Sequence, residues 1–382
     1  MATRVKNINR DLIEWAILRA GKDPKEVFIQ DPRVEKWVEG ERLPTVKQLE
    51  DFTRKLHVPF GYMFLDEPPK EEIPIPFFRS GHKNPEVREI SLNVYHTIQI
   101  LQERQTWLRE YLAQSGYEDL EFIGKYGIED SYKDVVKDIR KTLGLDPNWA
   151  KDLSSWEDAL DLLTAKIEEA GIIVTFNGIV GNNTRRPISV EECRGFVLAD
   201  LKAPFLFVNS KDAKAGQMFT LAHELAHLWL GKTAGFDQAN LLPADHPVEL
   251  FCDQVAAEFL VPEDYLTERW KITQDFKNLS RHFKVSPIVI ARRVMDLNLI
   301  ERSEFFEFYH SYMEGWRLKK QAQKEKDNKG GNFYATVRKR IGVRFASFVH
   351  SAVQEGNLLY RDAYRLTSLK GNSYERFMDE FL

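Results

Sequence analysis

The run "FTLAHELAHLWLG", residues 219–231, constrains this chain more than any other stretch of it. Nearly every position is apolar or small, no proline interrupts it, and Gly231 offers a stop. It reads as a helix without a wide polar face, and such a helix belongs in an interior. Yet it carries His223, Glu224 and His227 within five residues. Burying ionisable groups is costly unless something pairs with them, and a metal ion is one such partner.

His223 and His227 stand at i and i+4, so both imidazoles project from one helix face about a turn apart. That spacing lets them reach a single ion at the ~2.0–2.1 Å typical of a zinc–nitrogen bond. Glu224, one residue on, can reach a water in the ion's open position, which makes it the candidate general base. A catalytic zinc needs a third protein ligand. The stretch "ELFCD" in the next helical pattern offers Glu249, with Asp253 one turn later on the same face. Glu249 would complete a His2Glu set, and Asp253 would hold the other N–H of a ligand imidazole. Cys252, beside them, reads as a small buried apolar contact. His246 and Tyr265 are near enough in sequence to be considered as donors to a reaction oxyanion, but a surface or packing role is expected of both.

At 382 residues the chain suggests two or three domains. A net charge of −4 announces no global attraction to nucleic acid. No apolar run approaches the roughly eighteen residues of a membrane span, so no membrane partner is expected. The start "MATRVKNINRDLIEW" lacks the apolar core of a secretion signal, and two cysteines, Cys193 and Cys252, cannot build a disulfide framework. A cytoplasmic protein is expected. Residues 1–66 read as a small helical unit and 67–150 as a proline-rich linker with long helices. Residues 151–300 alternate helix, short strands ("GIIVTF", "RGFVLAD", "PFLFVNS") and helices, and 301–382 are helical and partly basic. The fold class is α+β: a mostly helical, multidomain chain with a small sheet at its core.

The combination "RGFVLAD…PFLFVNS…FTLAHELAHLWLG…VELFCDQVAAEFLVP" resembles the ImmA/IrrE family of zinc metallopeptidases over roughly residues 150–300. The resemblance implies a zincin-like core, Zn2+ held by His223, His227 and Glu249, and Glu224 as base. It also implies cleavage of an Xre-type repressor in phage, mobile-element or stress control. Many relatives carry Asn at the position of Asp253, a change that keeps a hydrogen-bonding group in place.

The first unit is similar to the Xre helix-turn-helix itself, especially over "VEKWVEGERLPTVKQLEDFTRKLHVPFGYMFLDEPP". It departs from that fold between Gly21 and Trp37, where Pro24 and Pro32 leave little room for two full turns in each helix. Its charge is near balance, so a protein-contact role is expected ahead of operator binding. A second helix-turn-helix pattern, "LSRHFKVSPIVIARRVMDLNLI", offers Arg281, Lys284, Arg292 and Arg293 as phosphate contacts; it reads equally well as a helical pair completing the core. Residues 316–344 hold ten Lys and Arg against Glu325 and Asp327, interleaved with Trp316, Phe333 and Tyr334. They form either a nucleic-acid or acidic-partner surface or a solvated charge run.

The sequence therefore supports a zinc endopeptidase acting on a regulatory protein. The alternative is an antitoxin-type binding protein that neutralises a toxic partner encoded nearby, such as a PIN-like nuclease, with possible DNA contact. The substrate, the trigger and the oligomeric state are open at this point.

Overall fold

A computed structural model describes residues 3–6, 8–71, 90–236, 246–324 and 333–381. It divides into two compact units, Met1–Pro74 with Glu86–Ile98, and Ile75–Pro85 with Gln99–Leu382. The proline-rich segment expected as a linker falls largely in residues 72–89, outside the described residues.

The first unit contains α1 (Asp11–Arg19), α2 (Pro24–Gln30), α3 (Pro32–Val38), α4 (Val46–Leu56) and a 3-10 turn, Phe60–Phe64. Its core gathers Leu12, Ile13, Ala16 and Ile17 from α1 with Val34, Trp37, Leu49, Phe52, Leu56 and Met63. Pro24 and Pro32 each stand in the first turn of a helix, behind Asp23 and Asp31, whose carboxylates accept the next backbone N–H groups. A proline there gives up a donor the helix does not use, so it starts the helix instead of breaking it. Both helices still run only seven residues, just under two turns. Thr45 caps α4 in a capping box with Gln48.

The helix α5 (Leu92–Gln114) begins in the first unit and continues into the second. The second unit then runs α6 (Tyr132–Leu143), α7 (Trp156–Glu169), β1 (Ile173–Phe176), β2 (Ile179–Val180), β3 (Asn183–Pro187), β4 (Gly195–Leu198) and β5 (Phe205–Val208). It continues through α8 (Lys214–Trp229), β6 (Ala234–Phe236), α9 (Pro247–Leu260), α10 (Glu263–Trp270), α11 (Phe276–Phe283) and α12 (Pro287–Asp296). It closes with α13 (Arg302–Lys324), α14 (Phe333–Ile341), α15 (Val343–Gln354), α16 (Tyr360–Thr367) and α17 (Asn372–Phe381).

The main sheet has the order β1-β5-β4-β6, with β1 parallel to β5 and both β5 and β6 antiparallel to β4. Two strand pairings were not expected, one in this sheet and one in a separate two-stranded sheet. β6 lies in a stretch that reads as loop, and its three residues are paired only because β4 offers an open edge. The β2–β3 hairpin contains "NTRRP", an exposed polar run with no alternation to mark it.

The register divides the sheet cleanly by face, as a two-residue period requires. Val174, Phe176, Val197, Leu206 and Val208 join the core that contains α8. Ile173, Phe196, Leu198, Phe205 and Phe207 point to the other side and are also buried. There Phe345 of α15 packs edge-on against Phe205 (5.6 Å) and Trp107 of α5 (5.7 Å). Gln105 of α5 donates to the Leu198 and Ala203 carbonyls, both at 2.9 Å. The buried Arg104 donates to the Leu366 carbonyl at 2.7 Å and the Arg340 carbonyl at 3.3 Å. The sheet is thus covered on both faces by helices. That is why its strands read as near-continuous apolar runs.

The second helix-turn-helix pattern forms the two helices α11 and α12, turned by Lys284 in the left-handed region (φ 54°) and capped by Ser286. Leu279, Phe283, Val285, Ile290 and Val294 lie in the core that includes α8. Two of the four proposed phosphate contacts face inward instead. Arg293 is buried in an ion pair with Glu258 and donates to the Val261 carbonyl, and Lys284 donates to the Arg281 carbonyl at 2.7 Å. Of the basic segment 316–344, residues 325–332 lie outside the described residues. In the part that follows, Lys339 pairs with Asp161 at 2.8 Å and Arg340 donates to Asn182 at 3.1 Å.

Candidate metal centre

Helix α8 is long, rich in Ala and Leu, and free of proline, and every residue from Gln217 to Trp229 is buried. It ends at Leu230, followed by Gly231 at φ 63°, a conformation glycine takes without steric cost. Helix α9 starts with Pro247 in its first turn behind His246, whose ring accepts the Val248 N–H. The first turn of α9 carries Glu249, a position where the helix dipole favours a carboxylate. The two helices pack against each other, and this brings His223 and His227 of α8 together with Glu249 and Asp253 of α9.

His223 Nε2 lies 3.0 Å from Glu249 Oε2 and 3.1 Å from His227 Nε2, and His227 Nε2 lies 3.2 Å from Glu249 Oε1. His223, His227 and Glu249 are all buried and form one metal-competent group among the described residues. Asp253 accepts from His223 Nδ1 at 3.0 Å, which assigns the proton to that nitrogen and turns the Nε2 lone pair toward the group.

These donors fit a cation. Two imidazole nitrogens facing each other at 3.1 Å beside a carboxylate must share a single proton among the three, the place a cation would take. Ligands held about 2.0–2.1 Å from a tetrahedral zinc would stand on the order of 3.3 Å apart, close to the separations seen. Several buried atoms lack any partner: both Glu224 carboxylate oxygens, His227 Nδ1, and Glu249 Oε1, which is near His227 but out of line for a hydrogen bond. Buried polar atoms left unpaired are expensive, and these four belong to the metal-competent group or to Glu224 beside it in sequence.

The electrostatics say the same. Burial alone would push the His223 imidazole down, but its hydrogen bonds to Asp253 and Glu249 overcome that and lift it to about 10. Burial would raise Glu249, and the two histidines beside it, His223 in a hydrogen bond and His227 at 3.2 Å, instead hold it at about 2. Burial drives Glu224 well above the usual carboxylate range and His227 below the usual imidazole range. A divalent ion relieves this competition for protons by replacing the one that His223 and Glu249 share.

The remaining candidates lie elsewhere. Cys252 is buried in the core, where burial pushes its thiol well up, and it is not part of the metal-competent group. His246 caps α9, and Tyr265 packs half-buried against the core.

Sequence reading missed the segment that ends α8. Phe122 stacks on Trp229 with ring centroids 4.4 Å apart. The N–H groups of Gly124 and Tyr126 donate to the Leu228 and Trp229 carbonyls at 3.0 and 3.1 Å. Trp229 in turn donates to Asp138 of α6 at 2.9 Å. The last turn of the helix bearing His227 is therefore closed by backbone from residues 122–126. A side chain at Gly231 would come within 2.9 Å of Gly124 Cα, so the approach needs glycine. The only signal in the sequence is the pair of glycines.

With this geometry in view, the comparisons with known proteins narrow the class. Residues 168–295, about a third of the chain, match a peptidase family model. That model, peptidase M78, is described as the IrrE N-terminal-like domain, and the match supports placement with the ImmA/IrrE family of metallopeptidases. It spans β1 through most of α12 and includes all four groups of the centre. Residues 341–380, which contain α15 and α16 and most of α17, match a domain of unknown function, DUF8813. No curated protein matches the chain.

Proposed function

We propose that this protein is a zinc endopeptidase that cuts a regulatory protein partner in the cytoplasm, such as an Xre-type repressor. The observation that carries this reading is the unpaired Glu224 carboxylate, buried beside a converged His223–His227–Glu249 set. A scaffold that only bound a partner has no use for an unpartnered buried carboxylate.

His223, His227 and Glu249 would hold the zinc, and Asp253 would fix the His223 ring. Zinc, when bound, supplies Lewis-acid activation of water and of the scissile carbonyl. Glu224 takes the proton of the attacking water. Glu224 keeps that proton until the amine leaves, and then hands it over as general acid. The surrounding apolar core keeps competing water away from the carboxylate.

One observation favours a second reading, an antitoxin-type protein that holds a toxic partner without cutting it. The four groups are closed in: Glu224 and His223 are 0% exposed, His227 1% and Glu249 3%. A peptide must be admitted before Glu224 can act on it. DNA contact, by the first unit or by Arg281 and Arg292 of the second, is a further element of this reading.

The two readings part in one experiment. The protein is co-expressed with the proteins encoded beside it, as wild type and as Glu224→Gln, and complexes are recovered and weighed intact. A partner that is cut by wild type but whole and bound with Glu224→Gln establishes the peptidase. A partner left whole and bound by both, with its toxicity suppressed by both, establishes the antitoxin.

A further inference from the structure

Glu224 makes no hydrogen bond through either oxygen, so packing alone decides where its carboxylate sits. The packing is specific. Thr220 and Glu224 stand at i and i+4 on α8, about a sixth of a turn around from the edge that carries His223 and His227. That edge lies on β4 at Gly195, which is paired on both sides, with Val208 of β5 and Phe236 of β6. A Cβ on residue 195 would meet Thr220 Cγ2 at 2.4 Å and the Phe207 carbonyl oxygen at 2.8 Å, and would stand 3.3 Å from Glu224 Oε1. There is no room for a methyl group, and one of the two atoms in the way is backbone.

We infer that Gly195 is a positioning residue for Glu224. The bare strand lets the helix approach until the carboxylate leans on the β4 backbone, and that wall fixes the carboxylate relative to the metal ligands. The inference rests on the reading of Glu224 as the base. A side chain at 195 pushes on Thr220 and the Glu224 carboxylate, while the His223 and His227 rings, next round the helix, and Glu249, on α9, stay able to close on a metal. Loss of the correct Glu224 position with retention of the metal is the signature.

The test uses the full chain loaded with cobalt, with acetohydroxamic acid as probe. A hydroxamic acid chelates a metal as its anion and passes its hydroxyl proton to a neighbouring base, so its affinity reports where the carboxylate is. Azide brings no proton and serves as the control. Glu224→Gln is expected to weaken acetohydroxamate binding tenfold or more. Gly195→Ala is expected to weaken it by a comparable factor, while still holding one cobalt per chain and binding azide within about twofold of wild type.

Wild-type hydroxamate affinity in Gly195→Ala overturns the inference, as does loss of cobalt, which would make Gly195 a support for the whole helix. If Gly195→Ala does not fold, Thr220→Ile presses the same contact from the helix side. Weaker hydroxamate binding with full cobalt then supports the inference, and wild-type affinity overturns it. Should Glu224→Gln itself bind the probe as wild type does, the reading of Glu224 as base fails, whatever Gly195 does.

Discussion

Each of the residues around the centre makes a separable contribution. In the proposed site Glu249 would be a donor to the ion: without it two imidazoles face each other across a buried gap, so Glu249→Ala is expected to lose zinc outright. Glu224 is not a donor in this arrangement, so Glu224→Gln is expected to keep about one zinc per chain and lose cleavage by a factor of 10² or more. Metal analysis of the two purified variants beside wild type decides the matter; zinc retained in Glu249→Ala would remove it from the ligand set. Asp253 works at one remove. Its carboxylate is a fifth exposed and holds His223 Nδ1, so Asp253→Ala is expected to weaken zinc about 10- to 100-fold without abolishing binding. Competition with a chelator of known affinity measures this, and an unchanged affinity would reduce Asp253 to a surface group. At this scale the sequence was informative: a spacing of four on each of two helices, at His223–His227 and Glu249–Asp253, puts each pair on one face. What spacing could not show is that Glu224 would be left with no partner, because that depends on β4.

Among the elements, those that bury one stripe were the readable ones. α4, α6 and α11 carry apolar residues on a single face, and α8 and α9 are apolar nearly all round. Caps such as Thr45, Ser155 and Ser286 mark where helices start. The elements that escaped are defined by partners instead of by their own pattern. β6 exists because β4 has a free edge, and the closure of α8 by residues 122–126 is made by backbone N–H groups, which any sequence supplies. That closure has a consequence for the metal, since His227 lies in the last turn of α8. Phe122→Ala removes the ring stacked on Trp229 and is expected to cost about 3 kcal/mol of stability. It should also lower zinc affinity by loosening the turn. Urea unfolding of the metal-free protein gives the first quantity and chelator competition the second. A stability loss with unchanged zinc affinity would show that the segment supports the core and not the site.

At the scale of the second unit, the sheet links the candidate metal centre to helices far from it in sequence. One face backs α8, while α5 and α15 cover the other, so the part that matches the peptidase family is wrapped by residues outside the match. Apolar patterning marks Phe205 and Phe345 for burial but does not say that they meet; such pairings across more than a hundred residues are where the sequence is silent. Glu168, at the end of α7, sits at this junction. It accepts from the backbone N–H groups of Val174 in β1 and Arg344 in α15, and it lies against Gly342. Burial raises its carboxyl to about 7, against those hydrogen bonds and the nearby Arg344 and Arg338 charges, which lower it. An acid whose affinity for protons is higher folded than unfolded binds more protons in the native state across the interval between the two values. Stability from this group therefore falls as pH rises from about 4.5 to about 7, and the penalty is complete above that. Glu168→Gln keeps an acceptor without the charge. It is expected to match wild type in urea unfolding near the acid end of that interval and to exceed it at pH 8.5 by on the order of 1–2 kcal/mol. A difference between the two proteins that does not change with pH would mean that the ionised carboxylate is as comfortable at this junction as it is in water.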